Sequence, residues 1–201
     1  MKKLLLLSIM FVFAASAFAA ENPIDKGSMI VGGTAMYASL GGDMYEVGED
    51  GSISTITLTP SIGYFVSPGL LIGADFTYTS ISGGDDDEID YSVFGIGPTV
   101  AYFFNMDPTR VEVKGATYPY IKGFFMYGSL SAGDDEEEDI SGDITVTSFG
   151  GRGGIMMMLS NAVALDIGVQ YNKDSYEPDG AEESTDGTRL QIGAGITAFV
   201  W

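Results

Sequence analysis

Four charged side chains interrupt stretches of this chain that are otherwise apolar or small: Asp75, Lys122, Arg152 and Asp166. Two acids and two bases in such positions would pair, because an unpaired buried charge is far more costly than a paired one. We therefore predict an internal charge network of these four residues. It forms either a polar gate on a narrow path or a structural plug that fills the interior. A fifth charge, Arg189, lies near a predicted strand end.

Runs of acidic residues are the other groups with chemistry to offer. Residues 85–88 and 134–139 present hard oxygen ligands of the kind that Ca²⁺ and Mg²⁺ accept. Their spacing matches no ordered calcium loop, and runs of like charge are usually solvated. We expect weak divalent-cation binding rather than a defined metal site, and contact with cationic surface partners is a further hypothesis. Four acidic segments hold 22 of the 28 acidic residues, namely 41–51, 82–90, 131–143 and 173–187.

The composition excludes several function classes. The chain has no Cys and no His, so it has no thiolate nucleophile and no imidazole base or metal ligand. We expect no enzyme activity and no cofactor. Without Lys2 and Lys3 the chain carries seven basic and 28 acidic residues, a formal charge of −21 (7 − 28). Nucleic-acid binding is not expected, since it needs Lys and Arg for the phosphates.

The charged residues of the predicted network must be held by strands, in which side chains alternate between two faces with a period of two. In residues 54–78, apolar side chains alternate with small or polar ones on both sides of Ser67-Pro68-Gly69, which predicts a β-hairpin with a tight turn. Both arms exceed the usual strand length and are long enough to cross a bilayer when tilted. The pattern continues, and it predicts eight strands at 28–40, 52–65, 70–80, 91–104, 119–130, 144–158, 163–172 and 188–201. The predicted fold class is all-β, an eight-stranded antiparallel up-and-down transmembrane β-barrel.

The two faces of the strands differ in a way that favours lipid outside. In the predicted fourth strand Phe94, Ile96 and Val100 share one face, while Gly95 and Gly97 lie on the other. The four charges of the predicted network fall on the less apolar face of their strands. A Lys or Arg near the middle of the lipid face costs about 2–4 kcal/mol, so this face is expected to line the lumen.

Aromatic residues cluster at strand ends and predict two belts at the membrane–water interfaces. The belt at the acidic end comprises Tyr37, Tyr78, Tyr91, Tyr127 and Tyr171. The belt at the opposite end comprises Tyr64, Phe65, Tyr102, Phe103, Phe104, Tyr118, Tyr120, Phe199 and Trp201. Because Phe199 and Trp201 fall on the lumen face of the last strand, we expect a bulge or a frayed end there.

Residues 1–20 read as a cleaved secretory signal peptide. Lys2 and Lys3 precede an apolar run over residues 4–15, and Ala17-Phe18-Ala19 matches an A-x-A cleavage site. The barrel domain is then expected to span residues 21–201.

Several motifs give the chain a resemblance to a known family. Gly32-Gly33-Thr34, residues 59–66, residues 71–74, Gly95-Ile96-Gly97-Pro98 and the aromatic end of the last strand resemble small outer-membrane β-barrel domain proteins of the OmpX/OmpA type. This resemblance implies contact with outer-membrane lipid, and insertion from the periplasm by the barrel-assembly machinery with its periplasmic chaperones. It makes Phe199 and Trp201 the expected assembly signal. It also implies location in the outer membrane of a Gram-negative cell, with both termini in the periplasm.

Fold does not determine function in such barrels. We expect a structural or surface-interaction role with acidic extracellular loops. The alternative is a narrow channel for small hydrophobic compounds like the OmpW type, since lumen glycines leave some space.

Overall fold

The computed structural model describes residues 23–40, 53–83, 89–104, 113–132, 144–178 and 185–200. Each strand pairs antiparallel with its neighbours in sequence, and the first also pairs with the last, so the sheet closes on itself. The predicted eight-stranded up-and-down barrel is confirmed. Within the described ranges, no helix has the length and apolarity needed to span a membrane. The eight strands are β1 (Met29–Leu40), β2 (Ile53–Ser67), β3 (Leu70–Gly83), β4 (Ile89–Phe103), β5 (Thr117–Ala132), β6 (Ile144–Met158), β7 (Val163–Pro178) and β8 (Thr185–Val200).

Two short connections define one end of the barrel, which we call the turn end. Pro68 and Gly69 join β2 to β3, and Gly69 has a φ of 71°, a left-handed conformation that favours glycine. Residues 159–162 join β6 to β7, where the Leu159 N–H donates to the Val163 carbonyl over 2.8 Å. The opposite end, where the acidic segments connect the strands, is the acidic end.

The strands at the acidic end are longer than predicted. β7 continues past Asn172 to Pro178, and β8 begins at Thr185. The prediction of a loop over residues 173–187 is therefore wrong for most of that segment. Its polar residues keep the period of two without an apolar face, so the strand signal is weak there. The acidic runs 85–88 and 134–139 lie outside the described residues.

The outward face of the barrel is apolar over most of its height. Phe94 and Ile96 are each more than half exposed, and the same holds for Leu190 and Ile192. Tyr78 and Phe94 contact each other with ring centroids 4.8 Å apart. An upper ring of outward aromatic residues borders this face toward the acidic end, formed by Tyr37, Tyr78, Phe94, Tyr127, Phe149 and Tyr171.

Part of the predicted lower belt is wrong. Tyr64, Tyr102 and Phe104 do face outward at the turn end. Their sequence neighbours Phe65 and Phe103 point inward and are fully buried. Tyr118, Tyr120 and Phe199 are buried as well. Successive side chains of a strand point to opposite faces, so an aromatic pair in sequence supplies one ring to each face.

Between the upper ring and the acidic end, the outward side chains change from aromatic to hydroxyl-bearing. Ser80 and Ser82 follow Tyr78 on β3, and Thr147 precedes Phe149 on β6. Neighbouring strands meet here through their hydroxyls, as the Ser54 and Ser82 Oγ atoms lie 3.4 Å apart. We call this set the hydroxyl collar, and it comprises Ser54, Ser80, Ser82, Ser92, Ser129, Thr145, Thr147, Ser175 and Thr188.

Two of the prolines that lie within strands coincide with gaps in the pairing. The β2–β3 pairing skips Thr59 and Pro60, and the β4–β5 pairing skips Gly97 and Pro98. Proline has no N–H to donate, so one ladder hydrogen bond is missing at each site. Gly97 lies so close to β5 that a Cβ built on it would clash with the Phe125 carbonyl oxygen.

Candidate functional site in the barrel lumen

Arg152 forms the centre of a buried hydrogen-bonded triangle. It lies on β6 and faces Asp166 on β7, with Nη2 and Oδ2 3.1 Å apart. Its Nε donates to the Tyr120 hydroxyl over 2.7 Å, and that hydroxyl donates to Asp166 Oδ1 over 2.7 Å. The Arg152 Nη2 also donates to the Gly193 carbonyl at 3.3 Å. All three side chains are nearly inaccessible, so the acid and the base neutralise each other inside the barrel.

Lys122 and Asp75 form a second ion pair beside the first. Lys122 Nζ lies 2.6 Å from Asp75 Oδ2. Lys122 is the direct register partner of Arg152 on the neighbouring strand, so the two cations lie side by side, each with its own acid. The four residues line one internal cavity of about 50 Å³. Asp75 Oδ1 is buried and has no hydrogen-bond partner among the described residues.

The structure thus brings the four sequence-predicted charges to one level of the lumen, as two separate pairs. Arg152 pairs with Asp166, and Lys122 pairs with Asp75. Sequence reasoning missed Tyr120, which it placed in an aromatic belt. The sequence does indicate the direction of the Tyr120 side chain. Tyr120 is two residues from Lys122 in the same strand and must therefore point to the same face.

A third ion pair lies closer to the acidic end, and sequence reasoning missed it. Arg189 Nε is 2.6 Å from Asp174 Oδ2, and its Nη2 is 3.1 Å from Asp174 Oδ1. Ser148 also donates to Asp174. Asp174 is almost fully buried although it was assigned to an acidic loop. Asp174 continues the inward-facing series of Gln170 and Asn172. Extending that period of two would have predicted that Asp174 faces the lumen.

Neutral polar side chains separate the charged levels. Gln191 Nε2 donates to Thr57 Oγ1 over 3.0 Å, and Thr57 and Thr79 share a hydrogen bond of 3.1 Å. The charged side chains that face the lumen in the described residues are three acids and three bases, so their charges sum to zero. They are Asp75, Lys122, Arg152, Asp166, Asp174 and Arg189.

An apolar cluster closes the lumen at the turn end. We call it the apolar stopper, and it comprises Ile24, Phe65, Phe103, Val113 and Phe199. The Phe65 ring is 5.5 Å from the Phe103 ring and 6.5 Å from the Phe199 ring. Ile24 and Val113 come from the segments that precede β1 and β5, and each is at most 2% exposed. These segments are anchored by backbone bonds such as Gly69 N–H to the Ile24 carbonyl, 2.9 Å.

Phe199 takes its place in the stopper without a bulge. It pairs with Ile30 in regular register between β1 and β8, and both side chains point into the lumen. The expectation that a bulge or frayed end would turn Phe199 outward is therefore wrong. Burial against Phe65 explains why a large ring occupies a lumen position. Trp201 lies outside the described residues.

Metal ligation finds no support in the described ranges, where no group of three or more acids could hold an ion. The acidic runs considered for weak calcium binding fall outside those ranges. Among the described residues, each acid that faces the lumen has a cationic partner, so these acids offer no pair of free carboxylates for acid–base chemistry.

Comparisons with known proteins agree with this geometry. The chain is similar to the crystal structure of Neisserial surface protein A, at 18% identity and a TM-score of 0.60 over 86% of this chain and 99% of that chain. It is also similar to the outer membrane protein OprG from Pseudomonas aeruginosa, at 14% identity and a TM-score of 0.51 over 89% of this chain and 96% of that chain. Likeness at these identities concerns the fold alone, and no curated protein matches the chain.

A protein-family model shows the family of the chain, whereas these structures show only its fold. The model of the outer membrane protein beta-barrel domain matches residues 67–201, well over half of the chain. The apolar outward face and the closed eight-stranded sheet are what such a domain requires. The chain therefore belongs to the outer membrane protein beta-barrel domain family, as a small eight-stranded barrel of the outer membrane.

Proposed function

We propose that this protein is a closed, non-enzymatic barrel that anchors its acidic loops at the cell surface. The observation that carries the proposal is the lumen, which ion pairs fill and the apolar stopper closes. A conducting path needs continuous hydration, and five large apolar side chains at the turn end oppose it. The protein then has a structural or surface-interaction role.

The absence of an enzymatic activity is part of this proposal. The sequence has neither His nor Cys. The three lumen carboxylates are held in ion pairs, so none is poised as a free base. What remains for interaction is the acidic end, whose loops would repel polyanions and attract divalent cations or cationic partners.

The orientation proposed is with the turn end, and hence both termini, in the periplasm. Short turns on the periplasmic side and longer external connections are the usual arrangement in such barrels. Assembly from the periplasm would then involve the barrel-assembly machinery and periplasmic chaperones, with Phe199 and Trp201 as the assembly signal. Phe199 would serve the folded state as well, since its ring is part of the stopper.

Single-channel recording in planar bilayers tests the closed lumen. We expect the wild type to give no discrete conductance steps. A double variant, Ile24→Asp with Val113→Asp, introduces two charges into the stopper and is expected to open a hydrated path. Lys26→Asp is the matched control, because Lys26 is exposed and two residues from Ile24. Steady conductance of the wild type would contradict the proposal.

A narrow channel for small hydrophobic compounds is the second candidate, and one observation favours it. An apolar recess of about 530 Å³ lies at the interrupted β4–β5 ladder, lined by outward residues such as Phe125 and by inward residues such as Thr99. A hydrophobic compound that entered from the acidic end would leave sideways here, because the stopper blocks the axis.

Uptake of a hydrophobic fluorophore by reconstituted liposomes separates the two candidates. Gly123 lines the recess, so Gly123→Phe would fill it and slow uptake if the channel exists. Gly153→Phe is the control, since Gly153 also faces outward into open space but lies on β6. Equal uptake by protein-free liposomes and by all three barrels supports the closed structural role.

A further inference from the structure

The ladder between β1 and β8 stops short of the acidic end. Its last pair is Tyr37–Ile192, whereas β1 continues to Leu40 and β8 begins at Thr185. Each of the other seven ladders reaches the last residue of at least one of its strands at this end. Within the described ranges, the barrel wall therefore has a gap between β1 and β8 above Tyr37, which we call the seam.

The β8 side of the seam is a strand edge that a partner can reach. Residues 185–191 span about 23 Å, and backbone groups along such an edge can pair with an added strand. Leu190 and Ile192 are the most exposed of the described large outward apolar residues, at 66% and 63%. Tyr37 belongs to the upper ring, so the seam lies above the apolar belt and opens to water.

Three buried oxygens on the strands around the seam have no hydrogen-bond donor among the described residues. They are Asn172 Oδ1, Gln191 Oε1 and Thr55 Oγ1, and each residue is at most 4% exposed. Gln191 lies on β8 one position from the last ladder pair. Asn172 lies on the neighbouring β7, and Thr55 is the register partner of Ala38 on β1. Two independent features, a strand edge and a set of buried acceptors, thus occur at the same place.

The acceptors require a ligand group that donates hydrogen bonds. Hydroxyl and amide groups bring acceptors of their own, whereas a lysine ammonium has three donors and no acceptor. The charge of the chain also favours a cation, because 28 acidic residues stand against nine basic ones. Arg189, the base on β8 beside the seam, is held by Asp174, so its charge is already balanced.

We propose that the seam binds an extended basic peptide segment of another protein, which adds as a strand to the edge of β8. Backbone pairing with β8 supplies affinity, and alternate side chains supply specificity. Lysine side chains on one face point into the lumen toward Gln191 and Asn172, while apolar side chains on the other face lie beside Leu190. This inference rests on the proposed surface-interaction role and names the chemical class of the partner.

Fluorescence anisotropy of the full, folded barrel in zwitterionic detergent micelles tests the seam, with a labelled heptapeptide of alternating valine and lysine as the probe. The matched peptide has the same sequence and charge but a methyl group on every backbone nitrogen, which prevents strand pairing. The wild type is expected to bind the unmodified peptide at least tenfold more tightly. Equal affinity would mean attraction by charge alone, which overturns the seam assignment and leaves the surface role standing. Binding of neither peptide overturns the partner class as well, whereas the closed lumen is judged separately by conductance.

A disulfide across the seam gives a second test in a chain that has no other Cys. Ala38 and Gln191 would be opposite each other if the ladder continued by one pair, so Ala38→Cys with Gln191→Cys closes the seam on oxidation. Oxidation is expected to lower peptide affinity at least tenfold relative to the reduced form of the same variant.

The control disulfide lies at the same end of the barrel but away from the seam. Ser129→Cys with Thr145→Cys joins register partners of β5 and β6 in the hydroxyl collar. Its oxidation should change peptide affinity less than twofold. An unchanged affinity on closing the seam, or an equal loss in the control, would overturn the inference. If the seam disulfide does not form, the wild type still decides through its affinities for the two peptides.

Discussion

The Arg152 triangle is the part of the lumen where one substitution should have the largest effect. Arg152→Met keeps a side chain of similar length and removes the charge. It removes the three hydrogen bonds that Arg152 donates to Asp166, to Tyr120 and to the Gly193 carbonyl. Asp166 remains only 4% exposed, so its carboxylate would be left buried without a cation.

The expected loss of unfolding free energy is about 3–5 kcal/mol, the usual effect of removing one partner of a buried ion pair. Tyr120 still donates to Asp166, which favours the lower part of that range. Lys122→Met should cost less, about 1–3 kcal/mol, because the Lys122 side chain is 15% exposed, so its ion pair with Asp75 is less completely shielded from water than the Arg152–Asp166 pair. The double variant Arg152→Met with Asp166→Leu should recover most of the loss, since no lone charge is then buried.

Urea unfolding of the barrel in lipid vesicles measures these differences, with heat-modifiable migration on gels as the readout of the closed sheet. The double-mutant cycle isolates the coupling between Arg152 and Asp166. The reasoning is refuted if Lys122→Met destabilises more than Arg152→Met. It is also refuted if the double variant is no more stable than the Arg152→Met variant.

Three further predictions follow from contacts elsewhere in the barrel. Arg189→Leu should leave Asp174 unpaired and speed proteolysis of the β7–β8 hairpin at the acidic end, whereas Lys173→Leu, which breaks only an exposed pair, should leave the cleavage rate nearly unchanged. Phe199→Ala should open a cavity in the apolar stopper and lower the urea stability by about 3–5 kcal/mol, and a loss below 1 kcal/mol would argue against tight packing there. Gly97→Ala should prevent closure of the sheet, because its Cβ meets the Phe125 carbonyl, while Gly123→Ala points into open space and should give the normal heat-modifiable band.

Local alternation was enough to predict the number of strands, the outward face and the inward direction of four charges. The period of two is a property of a single strand. The inward direction of Asp75 and Lys122 can therefore be predicted from their own strands, without knowledge of the neighbouring strands. Prediction failed where the alternation was polar throughout, as from Lys173 to Pro178, because a strand without an apolar face resembles a loop. It also failed for Phe65 and Phe103, which were grouped with their outward neighbours.

The tertiary structure alone decided which charges pair and what closes the lumen. Partner choice depends on strand register and on distances across the barrel, and neither is encoded in the pattern of any one strand. That is why Arg152 meets Asp166 and Tyr120 while Asp75 takes Lys122. The same holds for the apolar stopper, where Ile24 and Val113 arrive from outside the strands to cover Phe199. Sequence periodicity sets the direction of each side chain, but only closure of the sheet brings residues from distant strands into contact.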